Sequence, residues 1–170
     1  IFHSVNHQVE PGFREAIRSY LHSARGVNCS PEQIIVGAGS EYLLMLLSQI
    51  LEGRHVIAME NPTYKQAYRV FQSLGYEVCP VEMDANGMEP EFLAECGANV
   101  AYVMPSHQFP TGAVMPVGER RKILQWAEET ERYLIEDDYD SELRYYTNPI
   151  PAMQSMDAGA RTIYTGTFSK

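Results

Sequence analysis

His55-Val56-Ile57-Ala58-Met59, closed by Glu60-Asn61-Pro62, is followed by a helical stretch from about Tyr64 to Leu74 and then by Tyr76 to Met83. This stretch decides the fold. Two apolar runs flank a helix-length segment, and a continuous apolar run bounded by a proline suits a strand buried on both faces. The order strand, helix, strand then recurs in both directions. Downstream come the turn Asp84-Ala85-Asn86-Gly87, a helix over Glu89 to Cys96, and the strand Val100-Ala101-Tyr102-Val103-Met104 running into Pro105. A charged amphipathic helix over Val117 to Arg132 draws its apolar positions from Val117, Ile123, Leu124 and Trp126. Tyr133-Leu134-Ile135 begins a further strand, and Thr162-Ile163-Tyr164-Thr165 begins the last. Upstream, Phe13, Ile17, Tyr20 and Leu21 recur at helical spacing between Pro11 and about Arg25, and a second helix is predicted from Glu41 to Leu51. Gln33-Ile34-Ile35-Val36 reads as a short buried strand or turn leading into Gly37-Ala38-Gly39-Ser40. Successive strand–helix–strand units predict a largely parallel sheet with helices on both faces.

In such sheets ligands sit at the carboxyl ends of the strands. The polar and unusual residues cluster there: Asn61 to Tyr64, Ser106 to Gly112, Glu136 to Glu142 and Gly166 to Lys170. The 170 residues fit one domain and are ample for a core. With 13 Lys plus Arg against 22 Asp plus Glu, the net charge of −9 argues against a phosphate-backbone-binding surface over most of the chain. No apolar run approaches the roughly 20 residues of a membrane span. Cys29, Cys79 and Cys96 are odd in number and form no CxxC pair, which disfavours a disulfide framework or thiolate zinc site and makes a reducing cytoplasm the expected compartment. The chain starts at Ile1 and stops at Lys170 with no linker composition at that point, so a piece of a longer protein is expected.

Five segments can carry chemistry. Gly37-Ala38-Gly39-Ser40 ahead of a helix is either an anion cradle of free N–H groups or a tight turn capped by Ser40; Tyr42, where a dinucleotide fingerprint needs its third glycine, weakens a Rossmann reading. In Glu136-Asp137-Asp138-Tyr139-Asp140-Ser141-Glu142, an extended strand points Asp137 and Tyr139 to one face and Asp138 and Asp140 to the other. That acidic run suits a hard cation, a carboxylate paired with a cationic ring nitrogen beside a phenol, or plain solvation. Lys170, after Thr167-Phe168-Ser169, is a surface charge or, beside a cationic cofactor, a nucleophile toward carbonyls. Ser106 and His107 are sequence neighbours, poor geometry for a nucleophile and its base, and Tyr64 beyond a strand end is a core aromatic or a platform for a flat ligand.

Taken in order, these segments resemble the fold-type I pyridoxal 5′-phosphate enzymes, the aspartate-aminotransferase-like class. They are most similar to the aminotransferase-like domain of MocR-type transcriptional regulators of the GntR superfamily. The likeness rests on Arg25-Gly26-Val27-Asn28-Cys29, Pro105 to Gly112, Glu136 to Tyr146 and Gly166 to Lys170. The resemblance implies a three-layer α/β/α fold with a mostly parallel sheet, residues 1–170 forming part of the large domain. It implies pyridoxal 5′-phosphate held as a Schiff base on Lys170, Asp137 on the pyridine nitrogen, Tyr139 on the ring oxygen and Tyr64 stacked on the ring. Gly39, Ser40 and Glu41 would form the phosphate-binding helix start, with Thr167 and Ser169 adding hydroxyls; no metal is implied. Phe109 stands where ordinary aminotransferases carry an asparagine before Pro-Thr-Gly, a lost hydrogen bond of about 0.5–1.5 kcal/mol. That departure, shared with the regulators, favours an effector sensor of amino acids or amines over the alternative, a genuine aminotransferase. A homodimer is expected by the same resemblance, with DNA contacted only through an amino-terminal winged-helix domain that these residues do not include.

Overall fold

The computed structural model describes residues 11–51, 56–140 and 150–168. The strands are β1 (Val56–Asn61), β2 (Glu77–Asp84), β3 (Gly87–Met88), β4 (Val100–Val103), β5 (Tyr133–Asp138) and β6 (Thr162–Gly166). The helices are α1 (Pro11–Arg25), α2 (Ser40–Ile50), α3 (Lys65–Ser73), α4 (Pro90–Glu95) and α5 (Val117–Glu129), with single 3-10 turns at Pro31–Gln33 and Met153–Met156. The sheet order is β3-β2-β1-β4-β5-β6. Every neighbouring pair is parallel except β3, which turns back on β2 through the predicted Asp84–Gly87 turn. After β2 and β3 the chain crosses back to the far side of β1, so the strand order reverses between β1 and β4. Loops leaving those two strands diverge there and open a crevice at their carboxyl ends.

Period-two alternation divides the core into two layers. Ala58, Ala101, Val103 and Leu134 pack with Leu93, Ile123, Trp126 and Ala127 of α4 and α5. Ile57, Met59, Val100, Tyr102 and Ile135 pack on the other face with Leu44, Ala67 and Phe71 of α2 and α3. Both faces of the central strands are therefore dry, which is why their sequences read as unbroken apolar runs. The same alternation carries Asp137 to the α2–α3 face, while Glu136 and Asp138 belong to the α4–α5 face.

Two buried arginines fix the loop after β4. Arg120, fully buried in α5, donates to the carbonyls of Met115 (2.8 Å), Pro151 (2.9 Å) and Pro105 (2.7 Å). Arg25, at the end of α1, pairs through Nε with Asp138 Oδ2 at 2.7 Å and donates from Nη2 to Ser106 Oγ at 2.6 Å.

The structure departs from expectation at several points. Gln33–Val36 is not a buried strand: after the 3-10 turn begun by Pro31 the chain is irregular, with Ile35 56% and Val36 38% exposed. These residues line a groove of about 690 Å³ that runs between α1, α2 and β6, so the trio has no covering layer among the described residues. The α5 helix stops at Glu129 rather than Arg132, because Glu131 turns to φ +55°. Strand β5 runs three residues beyond Ile135 but ends at Asp138, and Tyr139 and Asp140 form a turn. The strict face alternation predicted through Asp140 therefore fails after Asp138. His55, Glu142, Ser169 and Lys170 lie outside the described residues.

Candidate functional site

A cavity of about 400 Å³ opens at the carboxyl ends of β5 and β6. Asp137 enters it from β5, and Tyr139 from the turn beyond. The Tyr102 hydroxyl, rising from the adjacent β4 on the same face, donates a short hydrogen bond to Asp137 Oδ2. Burial pushes the Asp137 carboxyl up to about 6, against the opposing pull of that hydroxyl. At neutral pH it is therefore mostly ionised in a place that disfavours charge, and a cation at the cavity would relieve it. Burial, with Asp140 and Asp137 close by, pushes the Tyr139 phenol up to about 12, which keeps it a neutral hydrogen-bond donor.

The opposite wall is aromatic. Tyr64, the residue that caps α3, meets Phe109 edge-on with ring centroids 5.9 Å apart. Phe109 in turn meets Tyr139 edge-on at 6.5 Å. The loop carrying Phe109 is pinned by Gln108, whose amide nitrogen donates to the Pro62 carbonyl at 2.7 Å and whose oxygen accepts from Thr111 Oγ1 at 2.6 Å. Beneath it lies Glu60, buried and accepting from the Met104 N–H at 3.4 Å; burial raises its carboxyl to about 8.

The third side is the start of α2. Gly39 precedes the helix at φ +114°, a conformation that favours glycine, and Ser40 is the first helical residue, so Gly39 rather than Ser40 caps the helix. A Cβ on Gly37 would lie 2.7 Å from the Leu43 side chain and 2.8 Å from the Tyr42 ring, so a larger residue there requires those side chains to shift. The first amides of α2 have no acceptor one turn back, and with the helix dipole they make an anion-favouring end at the cavity rim. Gly39, Ser40 and Thr167 all line the cavity, whereas Glu41 is exposed and absent from its wall.

Six of the expected site residues thus meet around one cavity: Gly39, Ser40, Tyr64, Asp137, Tyr139 and Thr167. The other acids of the 136–140 run have separate partners. Glu136 accepts from the Met153 and Gln154 N–H groups at 2.8 and 2.9 Å, and Asp138 is taken by Arg25 and by the Tyr164 hydroxyl at 2.7 Å. Asp140 contacts His107, so it does not share the Asp138 side as the alternation predicted. Among the described residues no group of three or more His, Cys, Asp or Glu side chains is placed to hold a metal ion. Tyr102, Gln108, His107 and Asp140 escaped the sequence reading as site residues. Tyr102 left a signal in its parity, which puts it on the same sheet face as Asp137, while His107 and Asp140 stood in segments already singled out for other reasons.

The family description of aminotransferase class I and II matches residues 2–170. The chain belongs to this family. Members similar to it include an uncharacterized HTH-type transcriptional regulator, YdeL, of Bacillus subtilis, 42% identical over 92% of this chain and 34% of that protein. The probable rhizopine catabolism regulatory protein MocR of Rhizobium meliloti is 38% identical over 94% of this chain and 33% of its own length. Among solved structures, Pyrococcus horikoshii kynurenine aminotransferase in complex with PMP superposes with a TM-score of 0.83 at 30% identity, covering 94% of this chain and 42% of that one. The chain therefore spans about a third of the length of the curated relatives it matches. Its sheet and helices are those of part of an aminotransferase large domain. No helix among the described residues is long and apolar enough to cross a membrane.

Proposed function

We propose that this aminotransferase-family chain is the cofactor-binding, effector-sensing part of a MocR-type transcriptional regulator and holds pyridoxal 5′-phosphate in the cavity between α2, α3 and β5. The observation that carries the reading is the convergence of Asp137, Tyr139 and Tyr64 on one space rimmed by Gly39 and Ser40. The residues present fit the group. A buried carboxylate with no positive partner among the described residues suits a protonated ring nitrogen, a neutral phenol suits a ring oxygen, and a helix start suits a phosphate. When bound, the cofactor supplies an electron sink and a carbonyl carbon for amines.

The chain's own residues do the rest. Asp137 keeps the ring nitrogen's proton in place, with Tyr102 holding the carboxylate's orientation. Tyr139 donates to the ring oxygen, Tyr64 covers one ring face, and the α2 amides with Ser40 and Thr167 take the phosphate. Lys170, two residues past Phe168, would supply the amine that holds the cofactor's aldehyde end, and Ser169 would add a hydroxyl. Glu41 contributes its backbone amide at the helix start rather than its side chain. Phe109 closes the wall without an amide, which supports binding of an amino acid or amine over rapid turnover. In the whole protein that binding would bias a DNA-binding domain elsewhere in a cytoplasmic homodimer.

The test is to load the protein with pyridoxal 5′-phosphate and follow visible absorbance. Wild type should gain a visible band that Lys170→Ala lacks. Amino acids or amines should then change that band with little release of keto product. Steady keto-acid production would replace the sensor reading with a working aminotransferase, and a chain that gains no band would end both.

A further inference from the structure

Two of the three cysteines meet on the face of the sheet that the cofactor reading leaves unused. Cys79 lies on β2 in register with Ala58 of β1 and two residues before buried Val81, so strand parity sends it to the α4–α5 layer. Cys96 ends α4, packs against that same layer and donates from Sγ to the Leu93 carbonyl at 3.5 Å. The Cys79 thiol is hydrogen-bonded to the Cys96 sulfur where α4 packs on β2. Burial first, then the Cys96 sulfur and the Glu77 charge, push Cys79 up to about 12. When the pair gives up a proton, Cys79 therefore keeps its own and the bare sulfur is that of Cys96. Both side chains are half-buried rather than sealed. Strand β3 pairs only with Met83 and Asp84, so the margin of β2 beside Cys79 has no neighbouring strand among the described residues. Cys29, the third cysteine, lines the groove between α1, α2 and β6 at the opposite margin of the sheet.

We propose that Cys79 and Cys96 are a peroxide-sensitive dithiol: hydrogen peroxide joins them in a reversible disulfide that ties the end of α4 to β2. The Cys96 thiolate attacks one peroxide oxygen. The S–O bond forms as the O–O bond breaks, and the departing hydroxide takes a proton to become water. Cys79 then attacks the Cys96 sulfenic acid at sulfur. The S–S bond forms, the S–O bond breaks, and the leaving hydroxide takes the Cys79 proton as a second water. In all, the two thiols lose two electrons and one peroxide is reduced to two waters. Half-buried sulfurs admit an oxidant this small and hinder a bulky disulfide. In a reducing compartment such a bond is transient, which suits a sensor and not a staple. Neither cysteine lines the Asp137 cavity, so the inference stands apart from the cofactor reading.

The experiment adds hydrogen peroxide in small molar excess to the reduced protein, blocks the remaining thiols with N-ethylmaleimide in urea and maps the products by mass spectrometry. Trypsin leaves both cysteines on one peptide, because no Lys or Arg lies between Arg69 and Arg120; cleavage after glutamate parts them at Glu82 and Glu95. The expected product is a Cys79 peptide joined to a Cys96 peptide, two hydrogens lighter than the separate pair and released by dithiothreitol. Cys29 should carry the maleimide, and Cys29→Ser should crosslink as wild type does. Closing a loop of roughly 17 residues should raise Tm by about 6–12 °C over the reduced protein. Cys79→Ser, which lacks the second sulfur, should carry Cys96 on to the sulfinic acid, whereas Cys96→Ser should leave Cys79 a thiol. Three intact thiols, a wild-type Cys96 sulfinic acid beside an unjoined Cys79, a bond that takes in Cys29, or links only between copies would overturn the proposal. So would a crosslink that leaves Tm unchanged or lower, since sulfurs already in contact need no distortion of the fold to bond.

Discussion

Replacing Asp138 by alanine should damage the fold rather than the cofactor chemistry. Asp138 and Asp137 are neighbours in sequence, yet β5 sends them to opposite faces. Asp138 pairs with Arg25 at 2.7 Å, both side chains are 2% exposed or less, and the Tyr164 hydroxyl donates to the same carboxylate oxygen at 2.7 Å. Removing the carboxylate strands a buried guanidinium and a phenol. Breaking one partner of a buried pair costs about 3–5 kcal/mol. For a chain of this size each kcal/mol is roughly 2–4 °C, so Tm should fall by about 6–20 °C. Differential scanning fluorimetry on the cofactor-free protein reads this directly. Arg25→Met combined with Asp138→Leu should recover much of the loss, because neither charge is then left unpaired. A Tm for Asp138→Ala within 2 °C of wild type would refute the buried-pair reasoning.

Other outcomes follow from the same geometry. Asp137→Asn should leave the cofactor-free Tm unchanged or raised, since it removes a disfavoured charge, while weakening pyridoxal 5′-phosphate binding about 10- to 100-fold by absorbance titration. Glu60, Glu136 and Asp137 are pushed by burial to about 8, 7 and 6. Folding therefore holds their protons more tightly than the unfolded chain does; the stability this provides is complete below about pH 4 and is lost as pH rises through 6 to 8. Cofactor-free protein should lose at least ~2 kcal/mol, or about 4–8 °C in Tm, between pH 5 and 8. Glu60→Gln should flatten the upper part of that decline, and a Tm that climbs across the range would contradict it. Gly39→Ala meets no atom within 4 Å but must hold φ +114°, so urea denaturation should show a loss of about 1–3 kcal/mol from backbone strain alone.

The alternation of apolar runs and helical segments was legible because each central strand is dry on both sides, and the observed elements fall within a few residues of the predicted ones. Strand parity and strand ends, both local properties, made the positions of Asp137 and Tyr64 legible, whereas Tyr139 reaches the cavity from the turn beyond β5, where parity no longer applies. Ile34 to Val36 misled because an apolar trio says that a surface wants cover, and periodicity cannot say whether cover is present. Arg120 reads as one charge among several on an amphipathic helix, yet it serves two carbonyls of the loop after β4 and the carbonyl of Pro151. His107 and Asp140 meet across 33 residues, and no spacing rule joins them. Their contact depends on β5 ending at Asp138 and the chain turning there, a detail that hydrophobic pattern does not encode.

The chain carries three lysines, Lys65, Lys122 and Lys170, and Lys65 follows the cavity residue Tyr64 directly. Borohydride reduction of the protein loaded with pyridoxal 5′-phosphate, followed by peptide mass mapping, records which amine the aldehyde had reached. A single phosphopyridoxyl adduct on the peptide that contains Lys170 is the expected result. An adduct confined to Lys65 or Lys122, or spread evenly over all three, would contradict the cavity as the cofactor's seat.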